Sequence, residues 1–460
     1  MRTFSIITMM ALFATGSCGD PIPNMGYSLD TAGENRQELE GVLSYYGTQD
    51  RNVDKMKAAV FLISNMPFHY SYHGDSIHLY YDEAAAILSN KSLPPEVQRD
   101  SLLYLSQTVY KNLPSSIIPD NRVVTKEFLI HTIDLSYEQW KESPWASQLT
   151  FNDYLEWLLP YKATELQELD YWRDTLLCHF GDGLRHPIVN DVEYNTTAGV
   201  SDMIRNEVLE KVNRYGLYTP SGLPLLSSYL LPRQTFGNIP DYALLATLSF
   251  RSMGIPAVLD ETPVGSRYTA ATKWFVILSD RGEEQPSEWD LSTQTGWSFF
   301  PYERGPKVFR NTFAVDKRRF KYMINAKYKY PFDLTVKDVT HKYFLSSEIC
   351  IPVKKRYRSK LQDDYVYIAS AIRTGQDTQT EGNGPDPDGW KIVDFGILNH
   401  GKVWFHNMGR EVIYRVYGYD GNGLIPISKP FLLKKNGIIE YYSTDTIYSP
   451  LFDKWFNNPV

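Results

Sequence analysis

Cysteine is nearly absent. Cys18, Cys178 and Cys350 are the only three in 460 residues, which excludes a disulfide-stapled scaffold. For Cys178 and Cys350 the expected role is that of a small buried hydrophobe. Charge of one sign is nowhere concentrated: the net charge is −7 and no long Lys/Arg run occurs. The footprint that neutralises phosphates is therefore missing, and nucleic acid is excluded as a partner. Beyond the N-terminal stretch no segment approaches the roughly 20 apolar residues that span a bilayer, and none recurs at solenoid periods. Histidine is scarce, nine in all, yet His69, His73 and His78 lie close together. The first two are one helical turn apart, as in a helical zinc site, but Pro67 and Gly74 bracket them and no Glu follows the first. They read as surface or packing histidines in a loop, and no metal or cofactor is expected.

What is present is ordinary for a globular chain, 43% apolar and 22% charged, and long enough for two or three domains. The 33 Tyr and 10 Trp suit platforms for sugars or peptides, although most such rings serve core packing. The N-terminus reads as an export signal: Arg2, an apolar stretch over 4–14, then Thr15-Gly16-Ser17-Cys18. The small residues ending in Cys18 resemble a bacterial lipoprotein signal, with Thr15 where Leu is usual. That resemblance implies cleavage before Cys18, lipid on its thiol, and an address at the bacterial outer membrane or periplasm. Residues 19–35 then read as a tether.

Helical spacing of apolar residues marks 36–46, 53–66, 95–111, 154–159 and 164–180 within a mainly helical region over 36–215. In the last of these, Cys178 and His179 look like a nucleophile beside a base, but neighbours on a helix point about 100° apart. After residue 306 the pattern turns to strands, at 342–352, 364–372, 391–398, 402–406, 411–417, 431–434 and 438–442, with a long loop over 373–389. Such short strands with turn signals predict an antiparallel β-sandwich. Asp420-Gly421-Asn422-Gly423 reads as a hairpin turn rather than a calcium loop, since the closing Glu is missing. Asn195-Thr196-Thr197 fits a glycosylation acceptor, which says nothing for a bacterial protein.

The centre of the chain is the stretch 236–257. Asn238 stands as a helix cap, Pro240 in the first turn, and Asp241 where the dipole favours an anion. Gly254 and Pro256 supply the stop. Between them Ala243, Leu244, Ala246, Leu248, Phe250 and Met253 are apolar nearly all round, which predicts a buried helix. Gly237, Ala243, Arg251, Gly254, Ile255 and Pro256 stand at offsets that resemble the transglutaminase-like core of the papain-like superfamily. That family sets its nucleophilic Cys in the first turn of this helix, its His in a His-x-Trp on a following strand, and its Asp near the next strand. Here the matching positions are Ile239, Thr272 (in Thr272-Lys273-Trp274) and Asp290 (in Trp289-Asp290). The resemblance covers about eighty residues, and the helical pieces before it are similar to those of exported Bacteroidetes lipoproteins.

The resemblance implies an α+β fold: the helical region over 36–215, a helix-on-antiparallel-sheet core over 216–305, and the sandwich over 306–460. It also implies a degenerate triad with one member of three, and a lone carboxylate does not replace nucleophile and base. The expected function is that of a surface protein without catalysis, binding a peptide or glycan, with Tyr242 and Trp274 as cleft aromatics. Two alternatives stand beside it. One is a hydrolase or transferase rebuilt around Asp290, with Asp241 as a paired carboxylate and Arg233 and Tyr242 flanking the cleft. The other is a structural component of an outer-membrane complex.

Overall fold

The structure, a computed structural model, describes residues 24–48, 52–143, 145–146, 149–185, 188–189, 192–193, 219, 223–264, 272–279, 282–289, 297–299, 304–372, 386–387 and 389–442. Cys18, Asn195, Asp290 and most of the loop over 373–389 lie outside these residues. Helices and antiparallel strands mix throughout, as an α+β chain requires. The chain divides into two compact units. The first comprises Met1–Leu259, Trp274–Phe300 and Asn311–Lys317; the second Asp260–Lys273, Pro301–Arg310 and Arg318–Val460. Among the described residues no helix is long and apolar enough to cross a membrane.

The tether expected over 19–35 ends earlier. Residues Met25–Thr31 form a helix, with the Asn24 side chain accepting from the Tyr27 N–H at 2.9 Å. Leu29 and Ala32 bury against the neighbouring helices, and that burial is what orders the segment. Helices Arg36–Thr48, Val53–Asn65 and Lys126–Glu142 share this core through Leu39, Val42, Leu62, Ile63, Leu129 and Ile133. A second core gathers around helix Ile239–Ser252. It takes in Asp75–Ser89, whose Ile77, Tyr80, Tyr81, Ala84 and Leu88 follow helical spacing, and the inner face of Trp172–Arg185.

The first unit's strands are short. β1 (Tyr70–Tyr72) pairs with β2 (Ile117–Pro119), and a two-residue ladder joins β3 (Ile188–Val189) to β4 (Val192–Glu193). The first half of β5 (Ala257–Thr262) belongs here, followed in sheet order by β6 (Thr272–Leu278), β7 (Glu284–Trp289) and β8 (Trp297–Phe299). Helix Ile239–Ser252 packs on these strands, with the Phe250 and Phe275 rings 5.2 Å apart and Ala257, Leu259 and Ile277 in the same cluster.

In the second unit, the end of β5 pairs with β9 (Phe309–Asn311), Asp260 opposite Arg310, and β10 (Val336–Asp338) flanks β9. The remaining strands are β11 (Ser346–Pro352), β12 (Tyr365–Ala371), β13 (Trp390–Asn399), β14 (Lys402–Gly409), β15 (Val412–Tyr419), β16 (Leu424–Pro426), β17 (Phe431–Leu433) and β18 (Ile439–Tyr441). They form one antiparallel sheet in the order β11-β14-β13-β12-β15-β17-β18, with β16 on β15. This differs from a sandwich of two separate sheets, and the length of β13 is the reason. Its residues 390–397 pair with β12, and Leu398 and Asn399 pair with β14, so one strand carries the sheet around a curl. A bulge at Ile368/Ala369 adds to the bend. Alternation then fills two cores. Val366 and Ile368 face Ile349, Val403 and Phe405, while Tyr365 and Tyr367 join Tyr322 of helix Lys317–Asn325, and Ala326 just after it, on the other side. Asp420 closes its hairpin by accepting from the N–H groups of Asn422 and Gly423 at 2.9 and 3.0 Å.

Candidate functional site

Both ends of the Ile239 helix are built as the local sequence dictates. Asn238 is extended and caps it, and the Asp241 carboxylate reaches back to accept from the Asn238 N–H at 2.8 Å, an arm of a capping box. Thr219 Oγ1 donates to the same oxygen at 2.6 Å, and the Asn238 amide holds the Thr219 backbone on both sides. At the other end the N–H of Ile255 reaches the Phe250 carbonyl at 2.9 Å and that of Gly254 reaches Arg251 at 3.1 Å. With Gly254 at φ +75° this is a Schellman stop. Arg251 adds a brace, its Nε donating to the Ala257 carbonyl at 2.7 Å and its Nη1 to that of Lys162 at 3.0 Å. The Arg-x-x-Gly-Ile-Pro signature is thus a device for turning this helix into β5.

Ile239 is the first residue of the helix and Thr272 the first of β6. They fall in different units, and Asp290 is outside the described residues. Tyr242 is 8% exposed and Trp274 fully buried, so both rings lie within the protein rather than on a face open to solvent. A Cβ on Gly237 would come within 2.9 Å of the Tyr242 hydroxyl, so only glycine fits beneath that ring. Asp241 is committed to the cap. Burial raises its pKa against the opposing pull of its hydrogen bonds, and those bonds hold it in a structural role rather than as a free partner for another carboxylate.

The sequence reading missed the group of buried charges beside this helix. His69 is 2% exposed; its Nδ1 lies 2.7 Å from Glu165 Oε1 and its Nε2 2.9 Å from the Phe313 carbonyl. Two acceptors demand two donors, so the ring is the imidazolium. Burial opposes that charge, but the charge and hydrogen bond of Glu165 outweigh it and the His69 pKa rises. Burial would likewise raise Glu165, yet His69 and Lys162 bring it down to about 2. Next to this pair Asp120, fully buried, accepts from Ser71 at 2.7 Å, Tyr161 at 2.9 Å and Lys162 at 2.6 Å. The segment 311–317 is fastened here too: Phe313 N–H donates to Glu156 at 2.9 Å, Val315 N–H to Asn65 at 3.0 Å, and the Phe313 ring stacks on His69.

A second polar group involves Glu168 and Asp170. Asp170 accepts from the Ser228 N–H and hydroxyl at 3.0 and 2.6 Å. Burial, then the charge of Asp170, pushes Glu168 up to about 8, and burial lifts Asp170 to about 6. The expected helix over 164–180 begins only at Trp172. Leu166 has φ 60°, and its N–H bonds the Tyr70 carbonyl instead of a helical partner.

A groove of about 900 Å³ opens between the turn after Leu88 and the segment Arg233–Thr235. Gln98, 3% exposed, forms its floor. It donates to the carbonyls of Ile87 and Asn90 at 3.3 and 3.1 Å and accepts from Thr235 Oγ1 at 2.7 Å. The segment Arg233–Thr235 leads directly into Gly237 and the helix.

No family model, no curated protein and no solved structure matches this chain.

Of the three clustered histidines, His69 is buried and His78 lies on helix Asp75–Ser89 rather than in the expected loop. His73 and His78 are exposed, and among the described residues no group of His, Cys, Asp and Glu is arranged to hold a metal. Cys178 is exposed and Cys350 half-buried, both as free thiols. Cys178 is therefore not the buried hydrophobe expected. With Trp172 and Leu176 turned inward, a residue two further along the helix faces out.

Proposed function

We propose that this is an exported, lipid-anchored binding protein whose transglutaminase-like scaffold has outlived its chemistry, and that it takes a peptide or glycan at the cell envelope. The observation that supports the reading is the position of Ile239. It opens a helix capped at both ends and packed on strands, where the resembling family sets its nucleophile. A branched hydrocarbon there has no lone pair to attack a carbonyl. Scaffold and caps remain while the reacting groups are gone, and a groove of ligand size lies on the same segment.

The test is to assay the mature protein for amide hydrolysis and transfer, alone and with Ile239→Cys plus Thr272→His, alongside binding on peptide and glycan arrays. Binding without turnover by the wild type is the expected result. Turnover by the wild type overturns the reading, and a folded but silent double mutant removes the kinship. Labelling with a fatty-acid probe, abolished by Cys18→Ser, checks the anchor.

One observation favours a second reading, acid–base catalysis. Glu168 and Asp170 are two carboxyls whose surroundings push them to different values, about 8 and about 6. Glu168→Gln and Asp170→Asn would each abolish a hydrolytic activity, with a bell-shaped pH profile in the wild type; wild-type inertness toward all array ligands removes it.

A further inference from the structure

The groove above Gln98 has an uneven lining. Among the described residues that line it there are two cations, Lys91 and Arg233, and no carboxylate. Neither cation enters an ion pair among the described residues, and both side chains are exposed. Arg233 is nevertheless held in place, because its guanidinium carbon lies 3.7 Å over the Tyr229 ring. Stacking fixes the plane of the fork while leaving its N–H groups clear of any acidic partner, which is the arrangement that favours bidentate capture of a planar anion. Ser89 and Ser92 add exposed hydroxyls along the same wall.

The walls are not loose. Gln98 ties the turn after Leu88 to Thr235 through three hydrogen bonds, so the two cations are carried by segments joined across the floor. None of the described lining residues belongs to a β-strand, so they offer no strand edge for the main-chain pairing by which extended peptides are bound. Hydroxyl groups beside one stacked guanidinium and one ammonium match sugar hydroxyls beside sugar carboxylates. The volume, about 900 Å³, lies within the range of ligand clefts.

We propose that this groove binds an acidic oligosaccharide, with Arg233 and Lys91 receiving its carboxylates and Ser89 and Ser92 its hydroxyls. The assignment rests on the binding reading above and names the class of ligand.

The test is calorimetric titration of the mature protein with an oligogalacturonate, its methyl-esterified form, a neutral oligosaccharide of the same length and an oligoglutamate peptide. The uronate is expected to bind, and esterification to weaken it by about tenfold or more. Arg233→Ala should cost about tenfold and Lys91→Ala about threefold, with Arg233→Lys intermediate because charge is kept and the fork lost. Ser92→Trp, on the exposed wall, should block binding while circular dichroism stays unchanged. Equal affinity for the esterified or neutral sugar overturns the anionic assignment and leaves the binding reading standing. Preference for the acidic peptide overturns the sugar class. Failure of the uronate to bind, with other ligands still captured on arrays, removes this groove as an acidic-sugar site; no capture of any kind removes the binding reading as well.

Discussion

The first unit holds two buried guanidinium groups on main-chain carbonyls and keeps carboxylates for Lys162 and His69, whereas the second sets its buried Lys307 and Arg310 on carboxylates. In the first, Arg173 and Arg251 are 3% exposed and spend most of their N–H groups on main-chain carbonyls: Arg251 on Ala257 and Lys162, Arg173 on Arg251, Leu158, Leu159 and Pro160. In the second, buried Lys307 and Arg310 go chiefly to carboxylates. Lys307 lies 2.5 Å from Asp338 and 3.1 Å from Asp394, and Arg310 2.8 Å from Asp260, which also accepts from Tyr343. The difference follows from the backbone. Strands satisfy their own carbonyls in ladders, so a cation buried among them needs a carboxylate. Helix ends and π turns leave carbonyls over, and guanidinium groups collect them. Burial, then their mutual repulsion, brings Arg173 down to about 9, and burial does the same to Arg251. Irregular chain can thus be held rigid from inside, at the cost of desolvated charge.

The largest expected effect comes from Lys162, the one ammonium on Asp120 among the described residues. Lys162→Met leaves that carboxylate buried with hydroxyl partners only and should cost about 3–5 kcal/mol in urea unfolding. Lys307→Met should cost roughly half as much, on the order of 2 kcal/mol, because Arg318 stays 3.0 Å from Asp394. Equal losses would break the comparison.

Glycine comes next. Gly254→Ala puts a Cβ 2.2 Å from Ser143 Oγ at φ +75°, and about 2–3 kcal/mol should be lost. Gly421 sits at φ +103° in an open turn with Gln362 Cγ 3.3 Å from the added carbon, so Gly421→Ala should cost about 1 kcal/mol. Thermal melts of the two variants check the order.

The pH response separates the units more finely. The raised pKa of His69 means that its contribution is complete below the unfolded value, about 6.5, and is lost as pH climbs through the folded one. Glu168 acts in the same direction: folded it titrates near 8, unfolded near 4.5, so the unfolded chain binds fewer protons between those values and stability falls across that window. Asp394 is the reverse. Burial would raise it, but Lys307, Arg318 and Arg319 hold it well below the usual carboxylate range, so its contribution stands above about pH 4 and is lost only as pH falls through its folded value. Between pH 5 and 9 the first unit should lose on the order of 4 kcal/mol, with the second unchanged, by hydrogen exchange read unit by unit. Glu168→Gln should flatten part of that slope.

The smallest effect is kinetic. Cys178 should react with a maleimide roughly tenfold faster than Cys350 in the folded protein, without any change in stability. Equal rates would contradict the outward face of the Trp172–Arg185 helix. Loss of an enzymatic activity on labelling would revive a cysteine mechanism.

What could be read from the sequence was local. The caps of the Ile239 helix are written within three or four residues of each end, and they form as written. The 164–171 stretch departs from the helical reading because its polar residues serve other partners: Glu165 turns to distant His69 and Asp170 to distant Ser228, while the Gln167 side chain closes a local loop onto Tyr161 and Ala163. Leu166 and Leu169 supply a helical stripe that those partners override. In the second unit, alternation marked the strands well. Nothing in it shows that β13 passes from one neighbour to another, since pairing is a property of two segments and alternation of only one. Lys91 and Arg233 were likewise unrecognisable as neighbours, being joined only by the reach of Gln98.

The clasp at Phe313 has a consequence in time. His69 finds its carbonyl partner 244 positions downstream, and Asn65 its amide 250 downstream. A ribosome, working from the N-terminus, delivers that piece only after the early helices have all emerged. Until then the early helices carry an imidazolium held by Glu165 alone and an open seam, and contacts of such span close late. A chain of this design keeps its early helices unlocked while it is being made and closes them once Phe313 and Val315 have arrived.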